Sequence, residues 1–257
     1  MCGHYALLAR TDLIKAFLDI LDIEDPPPRY NIAPTQPILV VVAGEKQEPG
    51  SNLPERRAML VRWGFMPGWV KDPRDFPLLI NARSETAIGK ASFRAAMRHR
   101  RILVPASGFF EWRRPEDKSE KAQAYFIRPK KGEIVAFAGL METWSSADGS
   151  EVDTGAILTT KANADISRIH DRMPVVIRQE DFSRWLDCKT QEPRDVVDLM
   201  KPIDEGFFEA IPVSDKVNKV ANMGADILEP VEERADPAPY EKKGTDTPPS
   251  SGQLSLF

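Results

Sequence analysis

The sequence is poor in the residues that hold metals and disulfides. Its 257 residues contain two cysteines, Cys2 and Cys188, and three histidines, His4, His99 and His170. No CxxC pair or histidine cluster occurs, so neither a metal site nor a disulfide framework is expected, and no cofactor. Long apolar runs are missing as well. None approaches the roughly 18 residues of a membrane span, and the amino terminus lacks the regions of a signal peptide. These absences point to the reducing cytoplasm. There is no excess of positive charge either: 35 Lys and Arg stand against 39 Asp and Glu, a net charge of −4. Residues 228–257 hold six acids and three bases, so the body of the chain is close to neutral. Local basic clusters such as Arg98, Arg100 and Arg101 therefore remain open to two readings. They can face a phosphate backbone, or serve as cations at the end of a helix over 92–99.

What is present is a 42% hydrophobic chain, enough for one sizeable core. Thr11 and Asp12 precede Leu13, Ile14, Phe17, Leu18 and Leu21, the spacing of an amphipathic helix with an N-cap. Short strands are expected over 38–42, 59–63, 102–105, 109–112, 125–127, 134–140, 156–160 and 175–177. Helices over 92–99, 181–186 and 194–200 interrupt them without regular βαβ alternation. The expectation is an α+β, sheet-rich single domain over 1–228. From Glu229 onward Pro, Glu, Asp, Lys, Ser and Thr dominate, a composition that cannot form a core, so 229–257 is expected to be a disordered tail.

Four residues carry chemistry. Removal of Met1 would make Cys2 the first residue and place a thiol beside a free α-amine. The amine titrates near pH 7.7–8.0, so part of it is neutral and nucleophilic at pH 7. Such a 1,2-aminothiol can form a Schiff base with an aldehyde and then close a thiazolidine. The plain alternative is a small residue opening a strand. Glu111 lies in Gly108-Phe109-Phe110-Glu111-Trp112, where strand alternation sets it on the face opposite Phe110 and Trp112. There it can relay protons, or pair with an Arg at a sheet edge. His170, in Ile169-His170-Asp171-Arg172-Met173-Pro174, can exchange a proton near neutral pH or simply bond a loop carbonyl. Asn81 opens Asn81-Ala82-Arg83-Ser84-Glu85-Thr86. Its amide can orient a reactive group while Arg83 clamps a phosphate, or the string can begin a helix with Glu85 paired to Arg83. Cys188 reads as a packed thiol.

Six ordered motifs resemble those of the SOS-response-associated peptidase family, which processes abasic sites. They are Met1-Cys2-Gly3, Tyr30-Asn31-Ile32-Ala33-Pro34-Thr35, the run from Trp63 to Trp69, Asn81 to Thr86, Pro105 to Trp112, and His170 to Pro174. The resemblance covers about residues 2–220. It implies that Cys2 attacks the ring-opened aldehyde of an abasic site in single-stranded DNA and shields it as a crosslink. By the same resemblance Asn81 positions the adduct, Glu111 relays protons and is the residue to suspect in Met1 removal, and His170 assists at the sugar oxygen. AP-lyase and autoproteolytic activities belong to the same expectation. Arg83 and His4 would meet phosphates, while Trp69 and Pro34 would stack on or wedge between bases. Trp69 can equally be packed in the core. Two positions depart from the family pattern: His4 stands where Arg is usual, and Val70 where a second aromatic often occurs.

The last residues, Gln253-Leu254-Ser255-Leu256-Phe257, resemble the peptide by which bacterial replication proteins dock into the sliding clamp. Leu254, Leu256 and Phe257 would fill an apolar pocket with Gln253 at its rim. A flexible linker of roughly two dozen residues spans about 25 to 30 Å. The expected protein is cytoplasmic and nucleoid-associated. Two other classes fit a Met-Cys-Gly start: an N-terminal-nucleophile amidohydrolase, in which the thiol attacks an amide, and a non-covalent single-stranded DNA adaptor.

Overall fold

The computed structural model describes residues 2–21, 23–44, 54–115 and 121–233. Met1 and the clamp-type peptide with Gln253, Leu254, Leu256 and Phe257 lie outside the described residues.

Two sheets make the body of the protein. β3 (Pro37–Ala43), β4 (Arg56–Trp63), β6 (Arg101–Ala106), β9 (Val135–Ser145) and β10 (Glu151–Lys161) pair in a closed circuit, β10–β4–β3–β6–β9 and back to β10. Closure leaves these strands no free edge. The short strands β5 (Asn81–Arg83), β11 (Arg172–Pro174) and β12 (Val176–Ile177) attach to β10 and β9. The second sheet orders β13 (Phe208–Val213), β8 (Gln123–Pro129), β7 (Gly108–Arg113), β1 (His4–Leu7) and β2 (Arg29–Ile32).

The chain passes from barrel to second sheet between β6 and β7, where Ser107 N–H bonds the Ala6 carbonyl and Ser107 Oγ accepts from Leu8 N–H. Gly108 makes that crossing possible, because a Cβ there would sit 2.6 Å from the Ile127 carbonyl oxygen. The inner face of the second sheet packs on the barrel through Phe109 against Phe137 and Tyr5 edge-on to Trp63, with Phe208 of the same sheet edge-on to Phe109. Its outer face carries a smaller core of Ala6, Phe110, Ala124 and Phe126, closed by Val217 and Ile227.

The α+β, sheet-rich expectation holds. Several expected elements changed at their ends. α1 (Thr11–Leu18) stops three residues before Leu21, because Asp19 turns left-handed at φ 53° and caps the helix. The segment Pro193–Met200 is a 3-10 helix, entered through a capping box between Glu192 and Asp195. Asn81 begins strand β5, and the helix α2 (Ser84–Ala87) starts only after Arg83. The ordered chain continues past 228: Val231 N–H bonds the Pro212 carbonyl, and Glu233 accepts from Tyr125 and Arg113.

Within the basic cluster Arg101 takes the helix-end role, and Arg98 and Arg100 form ion pairs. α3 spans Arg94–His99. Arg101 is buried and donates to the carbonyls of Met97, Trp185, Asp187 and Gln191. Arg98 pairs with Glu192 and Arg100 with Glu142.

Candidate active site around Cys2

Cys2 lies just before β1 and is 1% exposed, inside the main core cluster. In β1, Tyr5 and Leu7 face that cluster while Ala6 faces the outer core. Strict alternation would send Cys2 outward with His4, so the chain turns at Gly3 to bring the thiol inside. Burial, then the carboxylate of Glu111, push the Cys2 thiol well above the usual thiol range. The thiol therefore stays protonated at neutral pH.

Glu111 is the middle of β7, 2% exposed, on the face of Phe109 and opposite Phe110 and Trp112, as its alternation predicts. β7 runs antiparallel to β1 with His4 opposite Phe110, which carries Glu111 alongside Gly3 and the Cys2 turn. Asn81 reaches the same place from the barrel: its Nδ2 donates to the Cys2 carbonyl at 2.8 Å. The Asn81 Oδ1 is buried and has no partner among the described residues. A buried acceptor without a donor is costly and marks a place where a ligand group can bind.

His170 lies in the turn before β11. The Arg172 N–H can only donate, so its 2.9 Å bond to His170 Nδ1 makes that nitrogen an acceptor and leaves the proton on Nε2. The 3.0 Å approach of Asp171 Oδ1 to the same nitrogen is then only a contact, from an exposed carboxylate. Arg172 also makes a bidentate bond to Glu85, at 2.6 and 2.8 Å, and bonds the Thr159 carbonyl. This clamp ties the His170 turn to the segment that follows Asn81. Glu85 thus pairs with Arg172 and not with Arg83.

Arg83 is exposed at the end of β5. Trp69 is 60% exposed in the loop after β4, edge-on to Phe76, which excludes the core reading for this residue. Its neighbour Val70 is buried and its carbonyl accepts from Trp144 Nε1. Pro34 is half-buried before Thr35, whose φ of 73° makes the turn between β2 and β3. His4 Nδ1 lies 2.6 Å from Asn31 Oδ1.

Tyr5 was missed by sequence reasoning. Its hydroxyl is buried with no partner among the described residues, and burial pushes it well above the usual phenol range. Only its place three residues after Cys2 hinted at it. Among the described residues no group of His, Cys, Asp and Glu could hold a metal, and no helix is long and apolar enough to cross a membrane. A cleft of about 1000 Å³ beside Arg57, His99 and Cys188 is lined by none of Cys2, Asn81, Glu111 or His170.

Comparison with known proteins agrees with the motifs. The family model described as SOS response associated peptidase matches residues 1–220. The abasic site processing protein YoqW of Bacillus subtilis is 37% identical over 232 residues, 89% of this chain and 99% of the relative. YedK of Escherichia coli, of the same description, is 31% identical over 90% of this chain and its whole length. The HMCES protein of Gallus gallus is 30% identical over 80% of this chain and 67% of its own. A crystal structure of a Bacteroides thetaiotaomicron protein shares the fold with TM-score 0.71, at 24% identity, over 90% of this chain and all of that one. The chain belongs to the SOS response associated peptidase family.

Proposed function

We propose that the protein recognises abasic sites in single-stranded DNA and traps them as a thiazolidine through Cys2, after Met1 has been removed. The observation that carries this reading is the convergence of Glu111 and Asn81 on a buried Cys2. The named activity of the relatives gives the substrate class.

The chemistry follows from the groups present. The Cys2 amine adds to the aldehyde carbon of the ring-opened sugar, and the carbinolamine loses water to give a Schiff base. The thiol then adds to the imine carbon, and its proton passes to the new ring nitrogen. One aldehyde and one aminothiol give one thiazolidine and one water, with no redox change. Glu111 is the group placed to carry protons in both steps. Asn81 fixes the Cys2 carbonyl, and its open Oδ1 accepts from the amine or a sugar hydroxyl. His170 offers its Nε2–H to the sugar oxygen. Arg83 and His4 meet flanking phosphates, and Trp69 and Pro34 meet exposed bases.

Two further activities share these groups. A Schiff base not captured by sulfur permits β-elimination of the 3′ phosphate, an AP-lyase reaction. Glu111 is also the residue assigned to Met1 removal. The peptide Gln253-Leu254-Ser255-Leu256-Phe257 recruits the protein to a bacterial sliding clamp and so to replicating DNA in the nucleoid. Clamp binding that survives Leu256→Ala with Phe257→Ala would end that part of the reading.

The deciding experiment is denaturing electrophoresis and intact mass of the Met1-processed protein after incubation with a single-abasic oligonucleotide, beside Cys2→Ala. A heat-stable adduct that requires Cys2 is expected. No adduct, with Met1 absent, overturns the proposal and directs attention to amide hydrolysis.

A further inference from the structure

The two strands that carry Cys2 and Glu111 are tied together on their reverse face by a short piece of the C-terminal chain. His4, two residues after Cys2, points away from the core, and its ring meets Trp112 edge-on, with centroids 5.7 Å apart. Trp112, the residue after Glu111, donates its Nε1–H to Asn218 Oδ1 at 2.8 Å. Asn31 of β2 is buried, and its Nδ2 lies 3.2, 3.3 and 3.1 Å from the carbonyls of Val217, Lys219 and Asn222. Carbonyls only accept, so this fixes the amide: Nδ2 donates and Oδ1 is left to accept from His4 Nδ1–H at 2.6 Å. One segment, 217–222, thus holds β1 through Asn31 and His4, and β7 through Asn218 and Trp112.

The segment is itself anchored. Val217 and Ile227 plug the outer core, and Lys216 pairs with Asp226. Neither Asn31 nor Asn218 belongs to the chemistry described above. Both act one strand face behind it.

We propose that Asn31 and Asn218 are positioning residues: together with segment 217–222 they form a clasp that sets the separation between Cys2 and Glu111. The proposal rests on the reading of Cys2 and Glu111 as the reacting pair. Misplacing reacting groups by a fraction of an ångström slows a step without weakening remote binding, so loss of the Asn218–Trp112 bond acts on the rate of the covalent step and not on affinity, whereas Asn31 also holds His4.

The test uses the full-length, Met1-processed protein as wild type, Asn31→Ala, Asn218→Ala and Asn218→Asp. Single-turnover crosslinking to a single-abasic oligonucleotide gives a rate at saturation and an apparent Kd. Cys2 alkylation by iodoacetamide, followed by peptide mass mapping without DNA, reports the thiol directly. Asn218→Ala is expected to slow saturated crosslinking several-fold and to speed alkylation, with Kd unchanged. Asn218→Asp keeps an acceptor for Trp112 and restores both rates. Asn31→Ala is expected to slow crosslinking about ten-fold or more, from the loss of a buried hydrogen-bond set. If Asn31→Ala does not fold, the Asn218 pair decides alone. Wild-type rates in Asn218→Ala, or a loss confined to Kd, overturn the clasp. A wild-type protein that forms no adduct sinks the DNA reading instead, and alkylation still judges the clasp.

Discussion

Asn81 Nδ2 donates a hydrogen bond of 2.8 Å to the carbonyl of Cys2, joining β5 to the segment that leads into β1. The bond spans 79 positions of sequence and reaches the residue assigned the chemistry. It holds the backbone of that residue and does not engage its thiol.

Replacing Asn81 by Ala should therefore reduce the saturated crosslinking rate by about ten-fold, the effect of losing one well-placed hydrogen bond at a reacting centre. Single-turnover kinetics on processed protein check this. An unchanged rate would show that the Cys2 carbonyl needs no anchor.

Trp69→Ala should leave the melting temperature almost untouched, since the ring is largely exposed and contacts Phe76 at its edge. Binding of single-stranded DNA should weaken by roughly 1 to 3 kcal/mol if one base stacks on the indole. Fluorescence anisotropy with undamaged and abasic oligonucleotides measures it. Equal binding by wild type and variant would remove Trp69 from the interface.

The Glu85–Arg172 clamp gives a pH dependence with a definite sign. The Arg172 guanidinium, by hydrogen bonding, holds the Glu85 carboxyl below its ordinary value. A depressed carboxyl pKa stabilises the fold above the unfolded value, and the gain is lost as pH falls through the folded one. Glu85 is partly exposed, so the effect is screened to under about 1 kcal/mol. Thermal melts between pH 7 and pH 3 should show Glu85→Gln less stable than wild type at pH 7, with the gap narrowing as pH falls. A gap that does not narrow would assign the loss to packing.

Tyr5→Phe should raise stability by about 1 kcal/mol, because it removes a buried hydroxyl with no partner among the described residues. Chemical denaturation measures it. A loss of stability would mean that the hydroxyl has an acceptor in solution.

Arg101→Lys should be far more damaging than Arg98→Ala or Arg100→Ala. A lysine cannot reach the four carbonyls that the buried guanidinium holds, and leaving such acceptors unmet costs about 1 to 3 kcal/mol each. Loss of either surface pair should cost under about 1 kcal/mol. Comparing the three melting curves settles the order.

The sequence by itself determined the sheet-rich class and marked the residues proposed to react. Cys2 behind Met1, the alternation around Glu111 and the ordered motifs are local patterns, and a period of two along β7 is enough to send Glu111 inward. Boundaries were less legible where a single residue's backbone decides them, as at Asp19, or where a strand is three residues long and exists only through pairing, as at β5 and β11. Tertiary structure alone decided the rest. Arg98, Arg100 and Arg101 stand within four positions, yet two are surface ion pairs and one is a buried cap, because only Arg101 lies where four carbonyls converge. Asn218 is an ordinary polar residue in the sequence, and Asn31 stands inside a motif without a role of its own being read from it. Their meaning comes from backbone carbonyls and an indole that lie more than a hundred positions away, and hydrogen bonds over such separations have no local signature.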